Sequence, residues 1–567
     1  MIKNIILLSI FTIISIYSGF FAFDKKELFF VYGNYVYYFI SIAFFIWFYL
    51  FISFAIRNKS KISSYFNIHK YALITSAVIV ILFFFVSPPE YRILADEANL
   101  LSTSKSMYEN KNVFVSIEEL NILDKKQEIS FSLDKRLVLF PYILHLVHCL
   151  KGYSPDNAYI VNALASFGCL FLLYYLIQSL WGKYYGYTAM FLLASYPLFI
   201  RYSMSAGYDV VNLFFALLSF WCFCRFCKDS STQNTNLLIY TVALLSYTRY
   251  ECTVMAVVIM IFALIIQGKK ELESLNPAFF VYPLLFIPHA WVMFFATTKT
   301  YLQVNEGEST FSLEYLINNF INAFYFILEF DSKQESVFIV AFMAILSIFV
   351  FIRKLSANKN ETIAVIKDYK SHLAIVSVFL IIQIVVKFSY KYGDLTIAEN
   401  ARFGMTLLPY VVFLAIYFIK YFLQKQTKYK TIVLLLIMMV VLQYWAKAQN
   451  NYHDKAKGIY YRVFQTFRNF LEEKYKDKDD LLIASDYSNF LTPLKYNSVS
   501  IETLNKNFSI FKAYIKENKY WNKLIVIQVF ENGIYNKECV VKENKEFEIV
   551  YEKAINDNSF IRFSVYK

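Results

Sequence analysis

The chain has 567 residues, of which 58% are hydrophobic and 17% are charged. Soluble domains carry roughly a quarter charged residues, so this composition excludes an ordinary soluble protein and indicates several membrane spans. The formal net charge of +13 is spread over short loops and forms no continuous basic stripe, which argues against a nucleic-acid-binding protein.

Apolar runs recur along the chain, and about thirteen of them are close to the ~17–25 residues that a spanning helix needs. They are 4–22, 35–56, 71–87, 155–180, 184–200, 208–227, 236–249, 252–267, 278–296, 337–353, 372–389, 403–423 and 431–446. The first run follows Lys3 but no small-residue cleavage site follows it, which favours a retained anchor over a cleaved signal peptide.

Basic residues predict how these spans are oriented, since short cytoplasmic loops collect lysine and arginine. Clusters follow the second span, follow the tenth span and precede the last span, and all of them fall on one side. The amino terminus is therefore predicted to be cytoplasmic. The same count places the loops 88–136, 297–336 and 390–402, and everything after residue 447, outside.

Three domains are predicted: a two-span hairpin at 1–70, a membrane domain at 71–446 that carries the external loops, and a charged tail at 447–567. Four segments of the tail have the pattern of short strands. They are Leu481–Ser485, Leu524–Phe530, Phe547–Tyr551 and Phe560–Tyr566. The predicted fold class is a polytopic α-helical membrane protein with a small extracytoplasmic α/β domain at its carboxyl end.

An adjacent acidic pair, Asp96-Glu97, begins the long loop after the third span. Acids at a membrane face indicate a functional site. Consecutive residues do not share a helix face, so one acid alone is expected to contact a reacting group, and Asp96 is preferred. Glu97 is expected to orient the acceptor or to raise the pKa of Asp96 by like-charge proximity. The alternative is that the pair only caps a helix beginning at Ala98.

Cysteine and histidine give little sign of a disulfide framework or a metal site. Six of the seven cysteines lie in or at the edges of apolar segments. Cys222, Cys224 and Cys227 are interpreted as packing residues of a buried helix. His145 and His148 have i, i+3 spacing without a clear third ligand, which favours interfacial packing. A divalent cation that bridges the acids and a donor phosphate is the open alternative.

Several short motifs follow one another between residue 86 and about residue 425. They are Arg92–Ala98, Lys135-Arg136 through Tyr142, Gly152–Ser154 with Val161–Leu164, Tyr196–Ser203 followed by Tyr208-Asp209, Thr248–Glu251, and Ala401–Phe403 followed by Pro409. Their order resembles the GT-C-type polytopic glycosyltransferases, the superfamily of protein O-mannosyltransferases and lipid A aminoarabinose transferases. Phe140-Pro141 departs from the paired prolines of that family, which leaves the subfamily and the acceptor open.

The resemblance implies an enzyme that moves a sugar from a polyprenyl-phosphate donor to an acceptor hydroxyl, with Asp96 as the general base. Such a transfer requires a base for the acceptor proton and positive charge for the departing phosphate. It requires no nucleotide, and no phosphate-cradling glycine loop occurs in the sequence.

Four cations are candidates for binding the donor phosphate. Arg402 stands at the mouth of a late span, and guanidinium binds phosphate in bidentate fashion. Arg249 lies between two apolar segments, where it could instead form a structural ion pair with Asp209, Glu251 or Glu399. Arg201 and Lys391 lie at the outer edge and could simply extend their side chains toward water. Candidate acceptor-binding or positioning residues are Lys135, Arg136, Asp209 and Glu251.

The predicted protein is thus a hexosyl- or pentosyltransferase of a bacterial inner membrane, with its active site facing outward. The expected acceptor is a lipid, a polysaccharide or a protein, and no nucleic acid is expected to bind. Two other classes stay open. An envelope polysaccharide polymerase or ligase would rely on basic residues in its large loop. A secondary transporter or lipid flippase should show paired repeats and broken helices with charges at the membrane midplane.

Overall fold

A computed structural model describes residues 2–92, 94–122, 125–271, 278–296, 311–328, 336–357, 380–397, 400–425, 427–453, 459–475, 478–517, 519–535, 539–542, 545–556 and 558–567. Three long helices come first: α1 (Ile2–Phe20), α2 (Lys25–Arg57) and α3 (Lys59–Val86). A capping box fixes the start of α2, because the Asp24 carboxylate accepts the backbone N–H of Glu27 at 2.8 Å and the Glu27 side chain accepts that of Asp24 at 3.1 Å.

The acidic pair lies in the first turn of α4 (Leu94–Glu109). The helices of the membrane domain follow. They are α5 (Leu139–Lys151), α6 (Asn157–Trp181), α7 (Lys183–Ala194), α8 (Pro197–Ser203), α9 (Asp209–Lys228), α10 (Thr232–Ser246), α11 (Tyr250–Glu271), α12 (Ala278–Val281), α13 (Ile287–Ala296), α14 (Leu313–Leu328), α15 (Phe338–Ala357), α16 (Leu408–Lys425) and α17 (Lys430–His453). Residues 380–388 are also helical, and Ala401–Leu407 form a 3-10 helix before α16.

Seven helices of the described chain are long and apolar enough to cross a membrane. They confirm the polytopic α-helical class, while the predicted total of about thirteen spans stays a prediction. Two predicted spans are interrupted. Pro197 begins α8 after a break at the end of α7, and Pro283 lies in the 3-10 helix Tyr282–Phe286 between α12 and α13. Proline has no N–H to donate, so it favours a helix start over a helix interior.

One mixed sheet of seven strands stands beside this helical body. Its strands are β1 (Phe114–Ile122), β2 (Lys125–Leu133), β3 (Leu481–Ser485), β4 (Asn497–Val499), β5 (Lys523–Glu531), β6 (Phe547–Asn556) and β7 (Ser559–Tyr566), in the order β2-β1-β4-β3-β5-β7-β6. The central strand β3 pairs in parallel with β4 and β5, and the other pairs are antiparallel. The four strands predicted in the tail are confirmed.

The central strands are apolar on both faces because a helix covers each face. One face packs on α20 (Ile501–Lys516), where Leu482 contributes to the same buried cluster as Leu504. The other packs on α18 (Ile459–Lys474), where Ile483 joins Phe467. Successive strand residues point to opposite faces, so two buried faces require the continuous apolar run of β3. A short helix, α19 (Ser488–Leu491), lies between β3 and β4.

The tail does not complete this sheet by itself, since β1 and β2 come from the external loop that also carries α4. Glu119 of β1 pairs with Ser498 of β4. The Glu118 carboxylate accepts the backbone N–H of Ser500 at 2.9 Å and the hydroxyl of Thr503. The loop 88–136 and the tail are therefore joined in one sheet, while their placement outside the membrane stays a prediction.

A buried ion pair joins α4 to this sheet. The Lys105 ammonium donates to both oxygens of Glu119, at 2.8 and 2.6 Å, and to the carbonyl of Thr492 at 2.9 Å. The two side chains are 2% and 8% exposed. The position of the helix that carries the acidic pair is thus tied to the carboxyl-terminal domain.

We expect Lys105→Met to destabilise the protein by about 3–5 kcal/mol, because removal of one partner leaves a buried charge uncompensated. Thermal unfolding of the purified protein in detergent measures this. Lys105→Met combined with Glu119→Leu replaces the pair by apolar groups and should recover most of the loss. Equal destabilisation in the single and double variants would contradict the assignment of the loss to an unpaired charge.

Candidate active site

Asp96 is held between two arginines that come from distant parts of the chain. Arg136, in the segment between β2 and α5, donates to one carboxylate oxygen. Arg402, in the 3-10 helix before α16, donates to the other oxygen at 2.6 Å. Arg136 also donates to Asp134 at 2.6 Å. The Asp96 side chain is 13% exposed, so both ion pairs are largely removed from water.

Ion pairs continue inward from Arg402. Its second nitrogen lies 3.7 Å from Asp209 at the start of α9. Arg249 donates to Asp209 at 2.5 Å and to Glu251 at 2.7 Å. The Lys387 ammonium lies 3.9 Å from Glu251. Alternating charges thereby compensate each other along a buried path that starts at Asp96, as buried charges require.

Two aromatic rings flank the arginines of this path. The guanidinium of Arg249 lies 5.1 Å from the ring centre of Tyr208 and 4.6 Å from that of Phe403. The guanidinium of Arg402 lies 5.9 Å and 5.3 Å from the same two rings. Planar guanidinium groups are attracted to aromatic faces and stack against them, so the rings hold both arginine side chains in place.

The electrostatics at Asp96 reverse one expectation from the sequence. Burial raises the pKa of the Asp96 carboxyl, but the guanidinium groups of Arg136 and Arg402 outweigh burial and hold that pKa well below its usual range. The expectation that Glu97 raises the pKa of Asp96 is therefore wrong. For Asp134, burial outweighs the attraction of Arg136, and its pKa is raised. Burial lowers the pKa of the neighbouring Lys135.

Glu97 points away from this centre, as expected for consecutive residues of a helix. Its carboxylate accepts the backbone N–H of Arg92 at 2.6 Å and that of Ala206, between α8 and α9, at 3.0 Å. Glu97 is 1% exposed. These bonds fix the start of α4 against the turn before Asp209. Since the helix begins at Leu94 and not at Ala98, both acids lie inside its first turn, where the helix dipole favours them.

Of the ten residues predicted from the sequence for the site, six meet in the network. They are Asp96, Arg136, Asp209, Arg249, Glu251 and Arg402. Arg201 in α8 and Lys391 are both half-buried, and neither forms an ion pair with Asp96 or Asp209 in the described part of the chain. The carbonyl of Lys135 accepts a hydrogen bond from the Tyr250 hydroxyl.

Two charged members of the network were not predicted. Lys387 is 5% exposed and donates to the carbonyl of Phe403 at 2.6 Å and to the Thr406 hydroxyl. The sequence could have indicated Lys387, because it is a lysine inside the apolar run 372–389. A charge within a span is costly and usually has a partner. Asp134 stands directly before the predicted basic pair and offers no comparable signal.

The histidines of α5 have partners that agree with a packing role. His145 lies 3.2 Å from the Tyr37 hydroxyl, and His148 lies 2.9 Å from the Asn157 amide and 3.3 Å from the Ser104 hydroxyl. Among the described residues, no group of three or more histidine, cysteine or acidic side chains is placed to hold a metal ion.

Two solved structures are similar to this chain over most of its length. ArnT from Cupriavidus metallidurans, solved with undecaprenyl phosphate, is 9% identical, with a TM-score of 0.49 over 87% of this chain and 98% of that one. The archaeal oligosaccharyltransferase AglB from Archaeoglobus fulgidus, solved with an inhibitory peptide and a dolichol-phosphate, is 9% identical, with a TM-score of 0.44 over 81% of this chain and 69% of that one. No curated protein matches the sequence.

A family match covers part of the site. Residues 135–294 match the dolichyl-phosphate-mannose-protein mannosyltransferase family. This segment contains Arg136, Asp209, Arg249 and Glu251, four members of the network around Asp96. The resemblance predicted from the order of the motifs is therefore confirmed for residues 135–294 of this polytopic membrane protein.

Proposed function

We propose that this protein transfers a sugar from a polyprenyl-phosphate donor to an acceptor hydroxyl, with Asp96 as the general base. The observation that carries the proposal is the position of Asp96, a buried carboxylate between Arg136 and Arg402. The family that matches residues 135–294 is named for a sugar donor of this lipid-phosphate class, which supports the choice of donor.

Arg402 is the first candidate for the donor phosphate. Its Nε is buried and has no hydrogen-bond partner among the described residues, although one terminal nitrogen is bound to Asp96. Buried donors are nearly always satisfied in folded proteins, so this Nε, in a guanidinium already bound to Asp96, is open to an acceptor atom of a ligand. A phosphate oxygen is such an acceptor, and guanidinium binds phosphate with two parallel hydrogen bonds.

Arg249 is assigned a positioning role for Arg402. Both of its carboxylate partners, Asp209 and Glu251, are within 2.7 Å, so its charge is already compensated. It stands between Tyr208 and Phe403 beside Arg402. Its exchange for a neutral residue would leave Asp209 and Glu251 with only their longer ion pairs to Arg402 and Lys387.

A donor phosphate would also make Asp96 a better base. While both arginines bind it, the carboxylate stays ionised but holds protons weakly. A phosphate that takes over hydrogen bonds of Arg402 removes part of this stabilisation, and the pKa of Asp96 then rises toward its ordinary value. The base would therefore become active only when the donor is present.

The proposed reaction uses these groups in one transfer step. The acceptor hydroxyl gives its proton to Asp96 as its oxygen bonds to the anomeric carbon of the sugar. The bond between that carbon and the phosphate oxygen breaks, and the polyprenyl phosphate leaves with the electron pair. Arg402 stabilises the charge that develops on the phosphate. Lys135 and Arg136 lie beside Asp96 on the segment leading to α5 and are proposed to position the acceptor.

The site is proposed to face the outside of a bacterial inner membrane. The α4 helix lies with the tail on one side of the helical body, and the basic loops of the sequence predict the other side to be cytoplasmic. Lipid-linked sugars with a polyprenyl carrier are donors that such a site could use without a nucleotide.

The full-length protein in lipid nanodiscs tests the proposal. It should transfer label from a polyprenyl-phosphate sugar pool to a crude envelope acceptor and should not use a nucleotide sugar. A parallel reaction with EDTA decides whether a divalent cation takes part. Extension of a lipid-linked glycan by many units would instead indicate a polymerase. Lipid or solute movement across vesicles without any transfer would overturn the proposal in favour of a transporter.

A further inference from the structure

A polar cavity of about 280 Å³ lies between the membrane domain and the carboxyl-terminal domain. Tyr91 and the turn 153–156 before α6 line one side. Arg468 and Glu472 of α18, Lys478 and the segment 493–495 line the other. Small-molecule sites range over ~300–1,000 Å³, so this cavity is close to the lower end of that range.

Hydrogen bonds across the cavity fix its shape. The Tyr153 hydroxyl donates to the carbonyl of Pro493 at 2.6 Å, which joins the two domains directly. The Lys478 ammonium donates to the carbonyl of Leu494 at 3.1 Å. Lys495 adopts a left-handed backbone conformation with φ of 65°, which is uncommon for a lysine. The walls therefore exist before any ligand arrives.

Three cations, Arg468, Lys478 and Lys495, and two carboxylates, Glu472 and Asp156, line the described part of the cavity. Arg468 is paired with Glu472 at 2.8 Å. Among the described residues, no carboxylate oxygen lies within the 4.0 Å of a salt bridge from the ammonium groups of Lys478 and Lys495. Lys478 lies 4.5 Å from the ring centre of Tyr496, and Lys495 lies 5.1 Å from that of Tyr153.

Asp96 does not line this cavity, but Tyr91, five residues before it in the sequence, does. Tyr91 is buried in its wall, and the next residue, Arg92, is bound through its backbone N–H by Glu97. Asp96 and Glu97 point in different directions from α4, toward Arg402 and toward Ala206. Tyr91 in the cavity wall is therefore linked, through Arg92, to the start of the helix that carries Asp96.

We propose that the cavity binds an anionic sugar group, a sugar that carries a phosphate or a carboxylate, with the anion on Lys478 and Lys495. Tyr91 and Tyr153 supply the apolar wall that a sugar ring packs against, and the two ammonium groups supply the charge. The identification of this sugar as part of the acceptor depends on the function proposed above. The binding of the anionic sugar does not.

Direct binding to the full-length protein in detergent tests this, by calorimetry with glucose 1-phosphate, glucuronate, glucose and inorganic phosphate. We expect one of the two anionic sugars to bind at least about tenfold more tightly than glucose or phosphate, since the site offers both charge and ring contacts. Tighter binding of glucose 1-phosphate identifies the anion as a phosphate, and tighter binding of glucuronate identifies it as a carboxylate. Absence of saturable binding, or equal binding of phosphate alone, overturns the proposal.

A double variant, Lys478→Gln with Lys495→Gln, should weaken that binding by about tenfold or more, since charge-assisted hydrogen bonds are lost. The matched control is Lys506→Gln with Lys512→Gln, two lysines of the same domain that pair with Glu502 and Glu546 outside the cavity. Equal weakening in both double variants would contradict the site.

Sugar transfer separates this proposal from the proposed function. If transfer occurs, the cavity variant should raise KM for the acceptor by about tenfold with kcat unchanged. An unchanged KM would overturn the acceptor assignment. If the anionic sugar binds as expected but the wild-type protein transfers no sugar, the binding site is supported and the proposed function is wrong.

Discussion

Asp96→Asn is expected to reduce sugar transfer by about a hundredfold or more, because asparagine cannot accept the proton of the acceptor hydroxyl. The change keeps the size of the side chain and one oxygen that can accept from a guanidinium. It removes the negative charge that Arg136 and Arg402 share. Single-turnover transfer from a labelled polyprenyl-phosphate sugar, with donor in excess, measures the loss.

Glu97→Gln is the matched comparison, since it makes the same chemical change one residue away. Glu97 binds the backbone N–H groups of Arg92 and Ala206, so its loss should lower stability and leave the transfer step within about tenfold. Thermal unfolding of both variants shows whether they are folded. If Asp96→Asn retains transfer within tenfold of wild type while Glu97→Gln loses it, the assignment of the base is wrong.

The stability that Asp96 contributes to the wild-type protein should also depend on pH. The pKa of Asp96 is lowered in the folded protein, so its ion pairs stabilise the fold above the unfolded value of about 3.9. That contribution declines as the pH falls below the unfolded value and is lost once the pH has fallen through the lowered folded pKa. The difference in unfolding temperature between wild type and Asp96→Asn should therefore persist from pH 7 to about pH 5 and narrow below pH 4.

Arg402→Gln is expected to weaken binding of polyprenyl phosphate by about 3 kcal/mol, or roughly a hundredfold, because two charge-assisted hydrogen bonds to the phosphate are lost. Arg402→Lys keeps the charge but not the planar pair of donors, so it should recover only part of the affinity. Direct binding of the lipid phosphate to the purified protein measures the affinity separately from the transfer step.

Arg225→Gln is the control for this change. Arg225 lies on α9 sixteen residues after Asp209, about 24 Å away along the helix, and contacts the rings of Phe54 and Trp221. Its loss should leave lipid-phosphate binding unchanged. Binding that is unaffected by Arg402→Gln, or equally reduced by Arg225→Gln, would show that Arg402 does not hold the phosphate.

Local patterns in the sequence predicted the features that depend on local composition. The apolar runs predicted the membrane helices, because a span must satisfy its backbone hydrogen bonds within one continuous segment. The four strands of the tail followed from short apolar runs of strand length. The strand β4 was not predicted, since three residues are too few for a pattern.

The ion pairs of Arg249 were also within reach of sequence reasoning. A buried arginine between two apolar segments needs an acid, and Asp209 and Glu251 were among the three partners considered. By contrast, the direction of the pKa shift at Asp96 was predicted wrongly. The neighbour in sequence, Glu97, was given weight, while the two arginines that decide the pKa lie 40 and 306 residues away.

The sequence by itself thus determined the polytopic helical class, seven of the apolar helices and most of the charged residues of the candidate site. Only the tertiary structure decided which of these charges meet and that the external loop completes the sheet of the tail. The reason is physical: helix and strand patterns arise from neighbours in the chain, whereas an ion pair such as Asp96 with Arg402 depends on how distant helices pack. The buried bond network from Lys105 to Glu119 and Thr492 likewise exists only after the loop and the tail have come together.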